Sequence, residues 1–203
     1  KVPVSYPLAT STWDGAEEAA IQAVVDSGMY TMGPKVAAYE QAFAEHFGSE
    51  YAIMVNSGSS ANLLMIAALF YTKVPYLKLG DEVIVLPLTM SATTFAVLQA
   101  NATPVFADVD LDTFQICPVS IEQKITTKTK AIITVGLYGL SPDMDPIMDL
   151  ADKHGLKVIE DNAQAPGAIY HNKYTGCVSD IGVFSLNYHK HIHTGEGGVC
   201  VTE

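Results

Sequence analysis

Positive charge is what this sequence has least of. Its 11 Lys+Arg residues stand against 22 Asp+Glu in 203 residues, a formal net charge of −11, and they form no basic run. That balance excludes a nucleic-acid or anionic-lipid surface, so an anionic ligand would have to be held by local backbone N–H groups. Charged residues of either sign reach only 16% and hydrophobic ones 49%, with a mean hydropathy of +0.22, which excludes extended disorder. No apolar run is long enough for a membrane span. Cys117, Cys177 and Cys200 are odd in number and far apart, unlike a disulfide framework or a metal site, and fit reduced thiols in a cytoplasmic protein. There is no internal repeat, low-complexity tract or linker.

What is present reads as one α/β domain over residues 1–203, with an irregular N-terminal arm over about 1–14. A chain of this length buries roughly 70% of its unfolded surface. It starts at Lys1 rather than Met and stops after what reads as a strand, so it is expected to be part of a longer protein. Asp14 is placed to cap a helix over Ala16–Ser27, with Glu17 and Glu18 in its first turn and Gly28 as its stop. Val36, Tyr39, Phe43 and Phe47 keep helical spacing over Lys35–Phe47, closed by Gly48. Apolar runs then follow at Tyr51–Val55, Glu82–Leu86, Thr103–Ala107, Ala131–Val135, Lys157–Glu160, Ile181–Phe184 and Val199–Thr202. Helical stretches lie between several of them, at Ser60–Tyr71, Ala92–Ala100, Val119–Ile125 and Asp143–His154. Strands rich in Val and Ile without polar alternation, separated by helices, predict a three-layer α/β/α fold around a mostly parallel sheet.

Three of the strand ends carry chemistry. Asn56-Ser57-Gly58-Ser59-Ser60-Ala61-Asn62 lies where a strand gives way to a helix. Free N–H groups, a glycine and hydroxyls there suit a phosphate, although an ordinary serine cap explains the same residues. Asp161, in Glu160-Asp161-Asn162-Ala163-Gln164, ends a strand on the side where open α/β sheets bind ligands. It can hold a proton on a heterocyclic nitrogen, or merely cap a turn. Ser185 ends a third strand, and five residues later comes Lys190, ahead of Gly195-Glu196-Gly197-Gly198. Lys190 is either a solvated loop lysine or a desolvated amine able to attack a carbonyl. An anion cradle, a carboxylate and an amine together are what pyridoxal phosphate (PLP) requires.

The motifs NSGSSAN, IEDNAQAPGA and FSLNYHKHIHTGEGG, with GLYGLSPDMD (Gly136–Asp145) and Thr31-Met32-Gly33-Pro34, resemble the DegT/DnrJ/EryC1/StrS family of nucleotide-sugar aminotransferases, from about Tyr6 to Glu203. The resemblance implies the large domain of a type I PLP-dependent transferase, working as a homodimer with shared active sites. The expected reaction moves an amino group, usually from glutamate, to a nucleotide-linked keto-sugar for surface polysaccharide or a similar glycoside. It implies Lys190 as the Schiff-base lysine, Asp161 on the pyridinium nitrogen and Gln164 on the ring hydroxyl. Ser185 and the Gly58–Ser59 backbone are implied for the phosphate, and Met90 stands where the family usually stacks an aromatic on the ring. Gly136 and Leu186-Asn187-Tyr188 also depart from the family pattern, which bears on sugar identity. One branch of the family replaces the lysine by histidine and dehydrates its sugar. The opening Tyr-Pro-Leu-Ala and NSGSSANLL lean toward that branch, and Lys190 points back to an aminotransferase. A PLP-dependent sugar dehydratase or other lyase, and a non-catalytic PLP-fold protein, are the alternatives. His189, His191 and His193 would share a face if their segment were a strand, but no accompanying ligand pattern supports a metal. The family's small C-terminal domain is absent from this sequence, and a chain ending at Glu203 is expected to be inactive.

Overall fold

Strand β9 (Gly198–Thr202) runs antiparallel to both of its neighbours, β1 (Tyr51–Val55) and β8 (Ile181–Ser185), and every other pairing in the main sheet is parallel. The computed structural model describes residue 9 and residues 11–203; the first part of the expected arm and most of the Tyr6–Ala9 motif lie outside them. With β2 (Glu82–Val85), β3 (Thr103–Phe106), β4 (Thr129–Val135) and β5 (Lys157–Asp161), these strands form a seven-stranded sheet in the order β1-β9-β8-β5-β4-β2-β3.

Alternation along the strands divides the sheet's two faces. Val83 and Val85 of β2 and Ala131 and Ile133 of β4 face one way. They pack with Ala61, Met65, Ile66 and Leu69 of α3 (Gly58–Tyr71) and with Ala96 and Val97 of α4 (Ser91–Gln99). Ile84, Ile132 and Val158 face the other way, against Ile121 of α5 (Pro118–Lys124) and Ile147 and Ala151 of α6 (Met144–His154). Both faces are covered, which is why the strands lack polar alternation. The expected three-layer α/β/α architecture is therefore found, and the expected strands and helices are present with ends shifted by a residue or two.

The two N-terminal helices differ in how they are held. On α1 (Gly15–Ser27) the Asp14 carboxylate accepts from Ala16 N–H at 2.7 Å and the Glu17 carboxylate accepts from Asp14 N–H at 2.7 Å, a reciprocal cap. Yet α1 buries no side chain. Helix α2 (Pro34–Phe47) places Phe43 and Phe47 against Phe184 of β8, with centroids 5.1 and 4.7 Å away. A short hairpin of β6 (Ile169–Tyr170) and β7 (Lys173–Tyr174) stands apart from the main sheet. Two-residue strands leave no periodicity to read, so the sequence pattern did not predict it.

Candidate active site at the carboxyl edge of the sheet

Parallel strands end at a common edge, and there the register sets Val135 beside Asp161, Asp161 beside Val183, and Ser185 beside Gly198. Helix α3 begins at the same edge. Its start is pressed so closely on β8 that a Cβ at Gly58 would lie 2.6 Å from the Ser185 Cβ. Ser57 caps α3 in the ordinary way, accepting from Ser60 N–H at 3.1 Å, and Ala61 N–H turns back to the Ser57 carbonyl. The amides of Gly58 and Ser59 precede the first intrahelical bond and line the cavity at this edge, where they are available to an anion.

That cavity, of about 240 Å³, is lined by Gly58, Ser59, Met90, Asp161, Gln164, Ser185 and Lys190, the seven residues singled out from sequence. Met90 lies at its rim, 62% exposed. The Gln164 side-chain oxygen accepts from Tyr138 N–H at 3.2 Å, which turns the amide toward the tight Leu137–Gly139 turn. Among the described residues Lys190 is the only lysine lining the cavity, and the chain has no arginine, all 11 of its Lys+Arg residues being lysine.

Asp161 is buried and held on both oxygens. Oδ1 accepts from Ala163 N–H at 3.2 Å, the turn-capping role. Oδ2 accepts from the Thr93 hydroxyl at 2.7 Å and from Asn62 Nδ2 at 3.0 Å. Thr93 in turn lies 3.2 Å from the Thr89 hydroxyl. Asn62 and Thr93 were not recognised from sequence as partners of Asp161; Asn62 sat inside a quoted motif, whereas Thr93 gave no signal. The Asn62 side-chain oxygen is buried without a partner among the described residues, a spare acceptor beside the cavity.

Lys190 is half-buried. Burial pushes its amine below the ordinary lysine value, and the negative charge of Asp161 pulls it part of the way back. A solvated loop lysine would show neither effect. Its segment, Leu186–Gly197, is not a strand, so the shared face considered for the histidines does not exist. His189 and His191 are exposed and His193 is buried. Among the described residues, no group of three or more His, Cys, Asp or Glu is placed to hold a metal ion. Burial raises the Cys177 and Cys200 thiols to about 12, which leaves the amine as the better nucleophile. No helix among the described residues is long and apolar enough to cross a membrane.

The donor set fits PLP: an amide-lined cradle that a Cβ at Gly58 would fill, a carboxylate held by two side chains, and a desolvated amine. An α/β protein with these groups at the carboxyl edge of its sheet is built like a PLP-dependent enzyme of fold type I. A model of the DegT/DnrJ/EryC1/StrS aminotransferase family matches residues 12–203, and the chain belongs to that family. It is 47% identical over 200 residues to GDP-4-keto-6-deoxy-D-mannose 3-dehydratase of Escherichia coli O55:H7, a match covering 98% of this chain and 52% of that protein. It is 42% identical over 202 residues to GDP-perosamine synthase of Escherichia coli O157:H7, covering 99% and 53%. The solved structure of the E. coli dehydratase with bound hydrated PLP superposes with a TM-score of 0.94 at 47% identity, over 98% of this chain and 51% of that one. The chain thus spans about half the length of the curated relatives it matches.

Proposed function

We propose that this chain is the cofactor-binding part of a PLP-dependent aminotransferase that places an amino group, drawn from glutamate, on a nucleotide-linked keto-sugar. The observation that carries this reading is Lys190, a desolvated amine in the same cavity as the pinned Asp161. PLP supplies, when bound, an aldehyde for amine exchange and an electron-withdrawing ring that acidifies the adjacent C–H. Ser185 and the Gly58 and Ser59 amides would hold its phosphate, Asp161 its ring nitrogen and Gln164 its ring hydroxyl, with Met90 packing on the ring. Thr93 and Asn62 keep the Asp161 carboxylate aimed by donating to Oδ2. Lys190 Nζ would take the proton from one of the two carbons that exchange the amine and deliver it to the other, work that suits an amine whose burial eases deprotonation. With no arginine in the chain, phosphates and carboxylates meet only lysines, histidines, amides and hydroxyls within it. A homodimer in the cytoplasm, with residues 1–203 as the large domain, belongs to the same proposal.

A sugar dehydratase is the second reading, favoured by the 47% identity to the E. coli O55:H7 enzyme. In the solved dehydratase PLP is hydrated, which describes an aldehyde not joined to an amine; Lys190 is what would join it here. The deciding experiment incubates the full-length protein with PLP, glutamate and a GDP-linked 4-keto-6-deoxy sugar, and analyses the sugar product by mass spectrometry. A product that gains an amine in step with 2-oxoglutarate supports the aminotransferase. A product that loses a sugar hydroxyl without gaining nitrogen supports the dehydratase instead.

A further inference from the structure

The turn that carries Lys190 is braced by the start of the chain. Backbone bonds from Leu186 N–H to Gly197 O at 2.9 Å and from Tyr188 N–H to Gly195 O at 2.8 Å close its base. At its far side His193, 8% exposed, lies between two rings. Trp13 stacks on it with centroids 5.0 Å apart and planes 12° from parallel, and Tyr188 meets it edge-on at 5.1 Å. Trp13 Nε1–H donates to the His193 carbonyl at 3.3 Å, and the Ser11 hydroxyl lies 3.4 Å from His193 Nε2.

Helix α1, which follows Asp14, buries no side chain, whereas Ser11 and Trp13 just ahead of it both contact His193. These contacts are costly, because His193 Nδ1 is buried without a partner among the described residues. Neither Trp13 nor His193 lines the cavity.

We propose that Trp13 and His193 are positioning residues: their stack fixes the turn three residues from Lys190 and excludes water from it, so that the amine stays desolvated in the cavity. The inference rests on reading Lys190 as the cofactor lysine, and it is tested without the cofactor. In the full-length protein, Trp13→Ala, Trp13→Phe and His193→Ala are compared with the parent. Trp13 is the only tryptophan of this chain, so its emission reports the stack, against a Trp13→Phe background for any tryptophan elsewhere. His193→Ala is expected to shift that emission to the red and raise its quenching by acrylamide; unchanged emission overturns the proposal.

Lys190 itself is read by reductive methylation with formaldehyde and cyanoborohydride as a function of pH, followed by peptide mapping. Loss of the stack admits water, so Trp13→Ala and His193→Ala move the midpoint of labelling up toward that of an ordinary lysine. A rise of half a unit means about threefold slower labelling below the midpoint. Trp13→Phe, which keeps a ring to stack, recovers most of the shift. Variants that melt earlier yet keep the parent midpoint show a structural prop only and overturn the proposal. Should the parent show no visible band with PLP, the cofactor reading fails by itself, while the labelling still decides the clamp.

Discussion

The Thr93 hydroxyl lies 2.7 Å from Asp161 Oδ2, a contact between residues 68 apart in the chain. It joins the first turn of α4 to the end of β5, and with Asn62 of α3 it makes the aim of the carboxylate a product of three elements.

Removing one donor from a buried carboxylate leaves it under-satisfied. Thr93→Val is therefore expected to lower the unfolding free energy by about 1.5–3 kcal/mol and to weaken PLP binding, whereas Thr93→Ser keeps the hydroxyl and most of both. Asn62→Ala acts on the same oxygen, so the double variant should lose less than the sum of the singles. Urea unfolding and PLP titration check this; simple additivity would mean that the two donors act independently.

Gly58→Ala places a methyl 2.6 Å from the Ser185 Cβ and 2.9 Å from its Oγ. Either α3 or β8 must move, at a cost of about 1–3 kcal/mol, and the phosphate cradle opens with it. Gly15→Ala is the control, because a Cβ there meets nothing within 4 Å. PLP affinity and melting temperature should both fall for the first variant and hold for the second.

The pH behaviour of Lys190 has a definite sign. Burial lowers its pKa below the ordinary 10.5, so the neutral amine appears at lower pH than in a free lysine, and Asp161 opposes the shift. Asp161→Asn removes the opposing charge and should move the midpoint of aldehyde capture at Lys190 further down. Site-resolved labelling with a small aldehyde, reduced in place, measures it; an unchanged midpoint would show that Asp161 does not act on the amine.

Glu160 faces away from the cavity and ties down the segment before β8. It accepts from Gly176 N–H at 2.8 Å, Val178 N–H at 2.9 Å, Ser179 N–H at 2.9 Å and the Ser179 hydroxyl at 3.0 Å. Glu160→Ala orphans these donors and should cost at least about 3 kcal/mol. Burial raises the carboxyl above its ordinary 4.5, against the pull of the donors. A raised folded-state pKa gives stability that is complete below 4.5 and lost as pH climbs through the folded value. Relative to Glu160→Gln, the parent should therefore lose stability over that window in urea titrations, and a parent that gains instead would contradict it.

Local pattern made much of this molecule legible in its sequence. Branched apolar runs marked the seven long strands, the Asp14–Glu17 spacing marked a helix start, and Gly28 and Gly48 marked the ends of α1 and α2. Lys190, Asp161, Ser185 and Gly58, which line the cavity, stood out in the sequence too, because each ends a strand or follows one within a few residues. Those signals act over a few residues, through backbone propensity and the facing of neighbouring side chains. What the tertiary structure decided lies between distant segments. The insertion of β9 between β1 and β8, the Asn62 and Thr93 donors on Asp161, and the Trp13–His193 stack across 180 residues leave no local trace. Strand order and register choose those partners, and a hydroxyl such as Thr93 reads the same in sequence whether it meets water or a buried carboxylate.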